Sequence, residues 1–274
     1  MVYLLFFACQ QNIAPPRSTT TDDPSRAWKS LLLQATTEKG VDYDLIEKNR
    51  EILDNYVQWV GTVGPQMNRR NRTPWPRKNR SDRRLTFFAN AYNAWVIYSV
   101  LAHRPLESVR DVDVGMYTQP NVGFFFGQRF KVDGEYMSLY HLEQERLLGD
   151  HQEPLIHVML NCASIGCPPL QYWSHTNLTK DAEEAMRDYL KSPQGARQTD
   201  SGWEFTELFD WYEEDFVVWS DAENLCQYLE KYSAADIANW LREQPQCNLS
   251  FFSYDWSVND ISDGSVKPVN STID

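Results

Sequence analysis

The chain lacks any apolar run near the roughly 18 residues that a bilayer-spanning helix needs, and it lacks an internal repeat. Neither a membrane-spanning helix nor a repeat architecture is expected. Positive charge is also scarce: 26 Lys and Arg stand against 38 Asp and Glu, a formal net charge of −12. Nucleic acid is excluded as a partner on that ground, because neutralising phosphates takes clustered cations. One local exception is the basic run Arg69, Arg70, Arg72, Arg77, Lys78, Arg80, Arg83 and Arg84. It reads first as a solvated loop and second as a surface for an anionic partner or lipid. Cysteine is sparse, with 5 in 274 residues, whereas 42 % of the chain is hydrophobic, which is enough to build a core.

The N-terminus reads as an address. Met1–Ala8 is apolar, Cys9 follows, and a polar, Pro-rich stretch runs to Ser25. An apolar segment, a small residue and a cysteine resemble the lipobox of bacterial lipoproteins, although no basic segment precedes the short apolar run. A start placed too far downstream would account for both departures. The lipobox resemblance implies a lipid anchor at Cys9 and a place in the cell envelope, on the periplasmic or outer-membrane side. The plainer reading is a frayed terminus with a chance cysteine on a cytoplasmic protein. Residues 1–25 are then leader and linker, and 26–274 one domain. With Cys9 set aside, Cys162, Cys167, Cys226 and Cys247 remain, an even number compatible with disulfides in an oxidising compartment.

Apolar spacing predicts helices over 25–39 and 41–60, and a loop over 64–81, where Gly64, Pro65, Pro74 and Pro76 fall. The strongest helix is 83–101, capped by Ser81 or Asp82 and stopped by Pro105. Leu85, Phe88, Ala89, Tyr92, Val96 and Ser99 form its stripe. Asn90 and Asn93 flank that stripe, and buried amides need hydrogen-bond partners from elsewhere. Asp133-Gly134 marks a hairpin within 124–137, and Ser138 caps a short helix. Ile156, Val158 and Leu160 alternate with His157, Met159 and Asn161, which predicts a strand over 155–161 with one face in the core. Helices follow at 178–191, 221–231 and 233–243, the last with Ser233 and Asp236 as a capping pair. The expected fold is α+β: helices packed on a small, mainly antiparallel sheet that holds both the hairpin and the 155–161 strand.

The chemistry concentrates in HVMLNCASIGCPPL (157–170). Cys162, or second Cys167, can serve as a nucleophile with a histidine base, His157 or His141, and Asn93 as orienter of His157. A fully extended strand would hold His157 about 16 Å from Cys162, so that pairing needs a break near Asn161. A helix after the CAS turn would offer N–H groups to an oxyanion. Three plainer alternatives stand beside it. Cys162 and Cys167 form a local disulfide, or they are small buried apolar groups, or they bind a metal with His157, for which no fourth ligand has a convincing spacing. No metal and no cofactor are assigned. Trp211, Tyr212, Asp215 and Phe216 read as the end of an amphipathic helix before they read as a site lining. Asp255 reads as a cap before an orienter of histidine, and Glu143 as a surface carboxylate unless a cleft adjoins it.

The segments VDYDLI (41–46), LTFFANAYNAWVIYSVL (85–101), FKVDGEYMSLYHLEQERLL (130–148), IHVMLNCASIGCPPL (156–170), FDWYEEDF (209–216) and YDWSVND (254–260) together resemble the family catalogued as domain of unknown function 547, in the family's order. Gln144 and Leu148 stand where many members have histidine and arginine. The resemblance supplies no settled activity. It implies either a bacterial envelope protein or, as in plant proteins with coiled coils, an interaction module. Two functions therefore compete: a cysteine-dependent hydrolase or acyl/amide transferase, and a non-catalytic module that holds a small-molecule or peptide ligand over a structural Cys162–Cys167 pair.

Overall fold

The Arg80–His103 helix runs through the core, and every residue from Leu85 to Ile97 along it is buried. The expected stripe is therefore a full circumference, as for a helix with neighbours on all sides. Pro105 cannot continue it. The computed structural model describes residues 10–14, 23–70, 80–244 and 246–262, and these form an α+β arrangement around one hydrophobic core. The helix Pro24–Ala35 is capped by Asp23, whose carboxylate accepts from Ser25 N and Arg26 N. The periodic stretch 41–60 divides at Asn49 into the helices Tyr43–Lys48 and Arg50–Thr62.

Among the described residues the strands make three small sheets rather than one. In the first, β1 (Gln11–Ile13) runs parallel to β4 (Gln128–Val132), which pairs antiparallel with β5 (Glu135–Met137). The polar stretch read as linker thus supplies an edge strand, since a ladder is made by backbone groups whatever the side chains. β2 (Thr36–Thr37) and β3 (Gly40–Val41) form a short hairpin. β6 (Ala196–Thr199) and β7 (Gly202–Thr206) are antiparallel, with β8 (Ser250–Phe252) parallel to β7. Asp133 and Gly134 both take positive φ (51° and 84°), as the tight two-residue turn between β4 and β5 requires. Trp95 of the long helix stacks on Phe130 of β4 at 4.7 Å, so the helix packs on the hairpin as expected.

Several local expectations are corrected. The expected strand 155–161 is instead a one-turn helix, Ile156–Met159, outside every sheet. His157 and Met159 are as buried as Ile156 and Val158. A segment enclosed on all sides gives an apolar pattern that cannot separate strand from helix. The hairpin strands begin at Gln128, because Gly123–Gly127 winds as a π-helix. Ser138 caps its helix by accepting from His141 N, and the chain then widens into a second π-helix, Leu142–Leu148. Ser233 and Asp236 do not form a capping pair: Ala234 is the cap residue, and Ser233 Oγ donates to Leu229 O of the preceding helix. The basic run is not a single loop. Pro65–Arg70 is helical, Arg70 pairs with Glu135, and Arg84 with Asp150; residues 71–79, with Arg72, Arg77 and Lys78, lie outside the described residues. Cys9 also lies outside them. Cys226 and Cys247 form a disulfide that ties the Leu225–Tyr232 helix to the segment before β8.

Candidate active site

The segment from Met159 to Cys167 is held in place by asparagines. Asn93 Nδ2 donates to Met159 O at 3.0 Å, and Asn93 Oδ1 accepts from Asn161 N at 2.9 Å. Asn90 makes the same two-way bridge to the backbone of Trp173, whose Nε1–H also donates to Met159 O. Asn161 Nδ2 donates to Pro168 O, and its Oδ1 accepts from Ala163 N and Asn259 Nδ2. Both amides of the NAYNA segment thus find the outside partners expected of them, but the partners are backbone groups. Asn93 does not orient His157, because both ends of its amide are already engaged.

Beyond Asn161 the chain turns through Ala163, a non-glycine residue at φ 65°. Such a conformation costs on the order of 1–3 kcal/mol and collects at functional sites. It returns the amide of Ser164 toward the Cys162 sulfur. The C-terminal strap 254–260 covers this turn: Ile165 N donates to Ser257 O, Gly166 N to Asp255 O, and Asn259 N to Ala163 O. A Cβ at Gly166 would lie 3.0 Å from the Tyr254 ring, tighter than an ordinary contact. Tyr254 Oη then lies 3.3 Å from Cys162 Sγ and 2.9 Å from Cys167 Sγ. Cys162 and Cys167 are both free thiols. Burial pushes the Cys162 thiol up, but hydrogen bonds from Cys167, Ser164 and Tyr254 outweigh it and bring the thiol to about 7. Cys167 is pushed well above the ordinary thiol range by burial and by the adjacent Cys162 sulfur.

Cys162 opens on a cavity of about 210 Å³, whose walls include Tyr92, Phe126, Glu143, His157, Trp211 and Trp256. The two π-helical segments contribute Phe125 and Phe126 on one side and Glu143 and Gln144 on another, in keeping with the tendency of such segments to occur at functional sites. Glu143 Oε2 accepts from Tyr92 Oη at 3.4 Å and Oε1 from Tyr212 Oη at 3.3 Å. Burial outweighs these contacts and raises its carboxyl to about 7. His157 is buried, with Nε2 2.9 Å from Asp215 Oδ2 and its ring stacked on Tyr212 at 4.0 Å. Burial holds the imidazole below its ordinary value despite Asp215, so at neutral pH the uncharged ring donates Nε2–H to the carboxylate.

Of the residues singled out from sequence, Cys162, Cys167 and His157 share the cavity, while Asn93 stands behind it as a brace. Among the described residues no hydrogen bond links His157 to Cys162. No helix follows the CAS turn, and Cys162 N–H donates to Cys167 Sγ at 2.9 Å, so that amide is not free for an oxyanion. The orienter of His157 is Asp215, in the WYEEDF segment first read as a helix end. Asp255 does cap a turn, accepting from Ser257 N. In the sequence Tyr92 reads as a stripe residue, Tyr212 as a helix end before a site lining, and Tyr254 only as part of the segment 254–260. The signal that could have found them is their hydroxyl, which needs a partner when a tyrosine is buried.

The architecture and the cavity together define an α+β domain with a thiol-bearing, aromatic-walled site. A family model described as "Protein of unknown function, DUF547" matches residues 76–190, and over that stretch the resemblance read from the motifs holds. The match takes in Glu143, His157, Cys162 and Cys167 but not Tyr212, Asp215, Tyr254 or Trp256. No curated protein and no solved structure matches the chain.

Proposed function

We propose that the protein is a cysteine-dependent hydrolase or acyl/amide transferase of the cell envelope, with Cys162 as nucleophile. The observation that carries this reading is the convergence of Cys162, Glu143 and the His157–Asp215 pair on one cavity. The Cys162 thiolate attacks the acyl carbonyl, which forms a thioester as the leaving group departs. Glu143, protonated in part at neutral pH, supplies the leaving group's proton. His157, with Nε2–H committed to Asp215, keeps Nδ1 as the nitrogen that takes a proton from the water or acceptor in the second step. A cavity of about 210 Å³ takes a side-chain-sized acyl group rather than a whole polymer. The Cys226–Cys247 disulfide supports an oxidising compartment, in line with a lipid anchor at Cys9.

One observation favours the competing reading, a module that binds a small molecule or peptide without turning it over: the amide most often used for an oxyanion, that of Cys162, is engaged by Cys167. The experiment is iodoacetamide labelling of Cys162 across pH 5–10, read by peptide mapping, beside turnover of short activated thioesters. The catalytic reading expects a labelling midpoint near 7 and turnover that disappears in Cys162→Ala. A midpoint at the ordinary thiol value of about 8.5, without turnover, would leave the binding module.

A further inference from the structure

Two sulfurs and one phenol meet at the edge of the cavity. Tyr254 Oη reaches both Cys162 Sγ and Cys167 Sγ, and Cys162 N–H donates to Cys167 Sγ at 2.9 Å. One side-chain length therefore separates the two sulfurs, across a turn of four residues fixed by Asn161 and the C-terminal strap. Cys162 is partly exposed to the cavity, whereas Cys167 is 7 % exposed. This asymmetry, an accessible sulfur backed by a sheltered one, is what a peroxide-reactive cysteine and its partner need. The same chain already holds the Cys226–Cys247 disulfide while leaving this pair open.

We propose that Cys167 is a resolving cysteine: a small hydroperoxide oxidises Cys162, and Cys167 then closes a reversible Cys162–Cys167 disulfide over the nucleophile. The proposal rests on the reading of Cys162 as a reactive thiol. In the first step the Cys162 thiolate attacks one peroxide oxygen, an S–O bond forms and the O–O bond breaks. The sulfur is oxidised by two electrons, the peroxide is reduced by two, and the departing oxygen takes up a proton to leave as water or an alcohol. In the second step Cys167 sulfur attacks the sulfenic sulfur, the S–S bond forms and the S–O bond breaks. The hydroxide leaves with the Cys167 proton as water. Tyr254 Oη, in reach of both sulfurs, is placed to pass that proton between them. Without the second step the sulfenic acid is open to further, irreversible oxidation.

The test is oxidation of the full chain with hydrogen peroxide in the presence of dimedone, followed by non-reducing peptide mapping. The wild type is expected to lose two hydrogen atoms from the peptide carrying both Cys162 and Cys167, to collect no dimedone there, and to recover its mass with dithiothreitol. Cys167→Ser is expected to collect dimedone on Cys162. The Cys226–Cys247 peptides serve as the internal standard. Dimedone or sulfinic acid on wild-type Cys162, with no disulfide, overturns the resolving role and leaves the reactive thiol standing. No change at either cysteine overturns the resolving role, and the iodoacetamide midpoint then decides the reactive thiol by itself. The wild-type map decides alone if Cys167→Ser does not fold.

Discussion

The segment from Met159 to Cys167 has two faces, and they are built on opposite terms. Away from the cavity each amide is matched: Asn93 bridges Met159 O and Asn161 N, Asn90 bridges Trp173, and the Asn161 side chain has three partners, Pro168 O, Ala163 N and Asn259 Nδ2. Toward the cavity the polar groups are held loosely. Glu143 has only two long phenol contacts, and burial raises its carboxyl to about 7. Buried polar groups that are fully paired rigidify a structure, while those left in poor balance shift their protonation. One face therefore supplies the stability that the other gives up.

If that contrast is correct, the largest effect belongs to the braced face. Asn93→Ala strands Asn161 N and leaves Met159 O with the Trp173 indole N–H alone, and is expected to cost about 1–3 kcal/mol in urea unfolding. A loss under about 0.5 kcal/mol would show that the brace is decorative. Next comes Glu143→Gln. The folded-state carboxyl is raised from 4.5 to about 7, so its contribution to stability is whole below about pH 4.5 and is lost as pH rises through 7. The amide does not titrate. The stability of Glu143→Gln relative to wild type should therefore climb between pH 5 and 8, by on the order of 1–3 kcal/mol. The difference is read in a Cys162→Ala background, because the Cys162 charge itself helps to raise the Glu143 carboxyl. A flat difference would place Glu143 in ordinary solvent. The smallest effect is expected for Tyr254→Phe, which removes one hydroxyl from both sulfurs. Its Cys162 labelling midpoint should rise by about one pH unit, worth about 1.4 kcal/mol, with little change in unfolding. An unchanged midpoint would mean that Ser164 and Cys167 alone set the thiol.

The braced face was the more legible in sequence. Asn90 and Asn93 in an apolar helix announce a need for partners, and the Asp133-Gly134 turn announces its hairpin, because both signals are local. The cavity face was harder to read. Alternation over 156–161 pointed to a strand, yet the segment is enclosed on every side and winds as a helix. Asp215 reaches His157 across 58 positions, and Tyr254 reaches Cys162 across 92. No spacing rule spans such intervals, so Asp215 reads in the sequence as a helix end and Tyr254 carries no role of its own. Glu143 depended on a π-helical widening that composition does not mark.

The strap 254–260 closes the site from the far end of the folded region, pairing with Ser108, Ser164 and Val41 through Ser257, Val258 and Asp260. It brings Tyr254 against the sulfurs and Trp256 into the cavity wall. During synthesis the ribosome makes the cysteines roughly ninety residues before the tyrosine that tunes them. Until the strap has emerged and docked, Cys162 has lost one of its thiolate donors and the cavity lacks a wall. The thiol thus acquires its final surroundings only as the fold is completed.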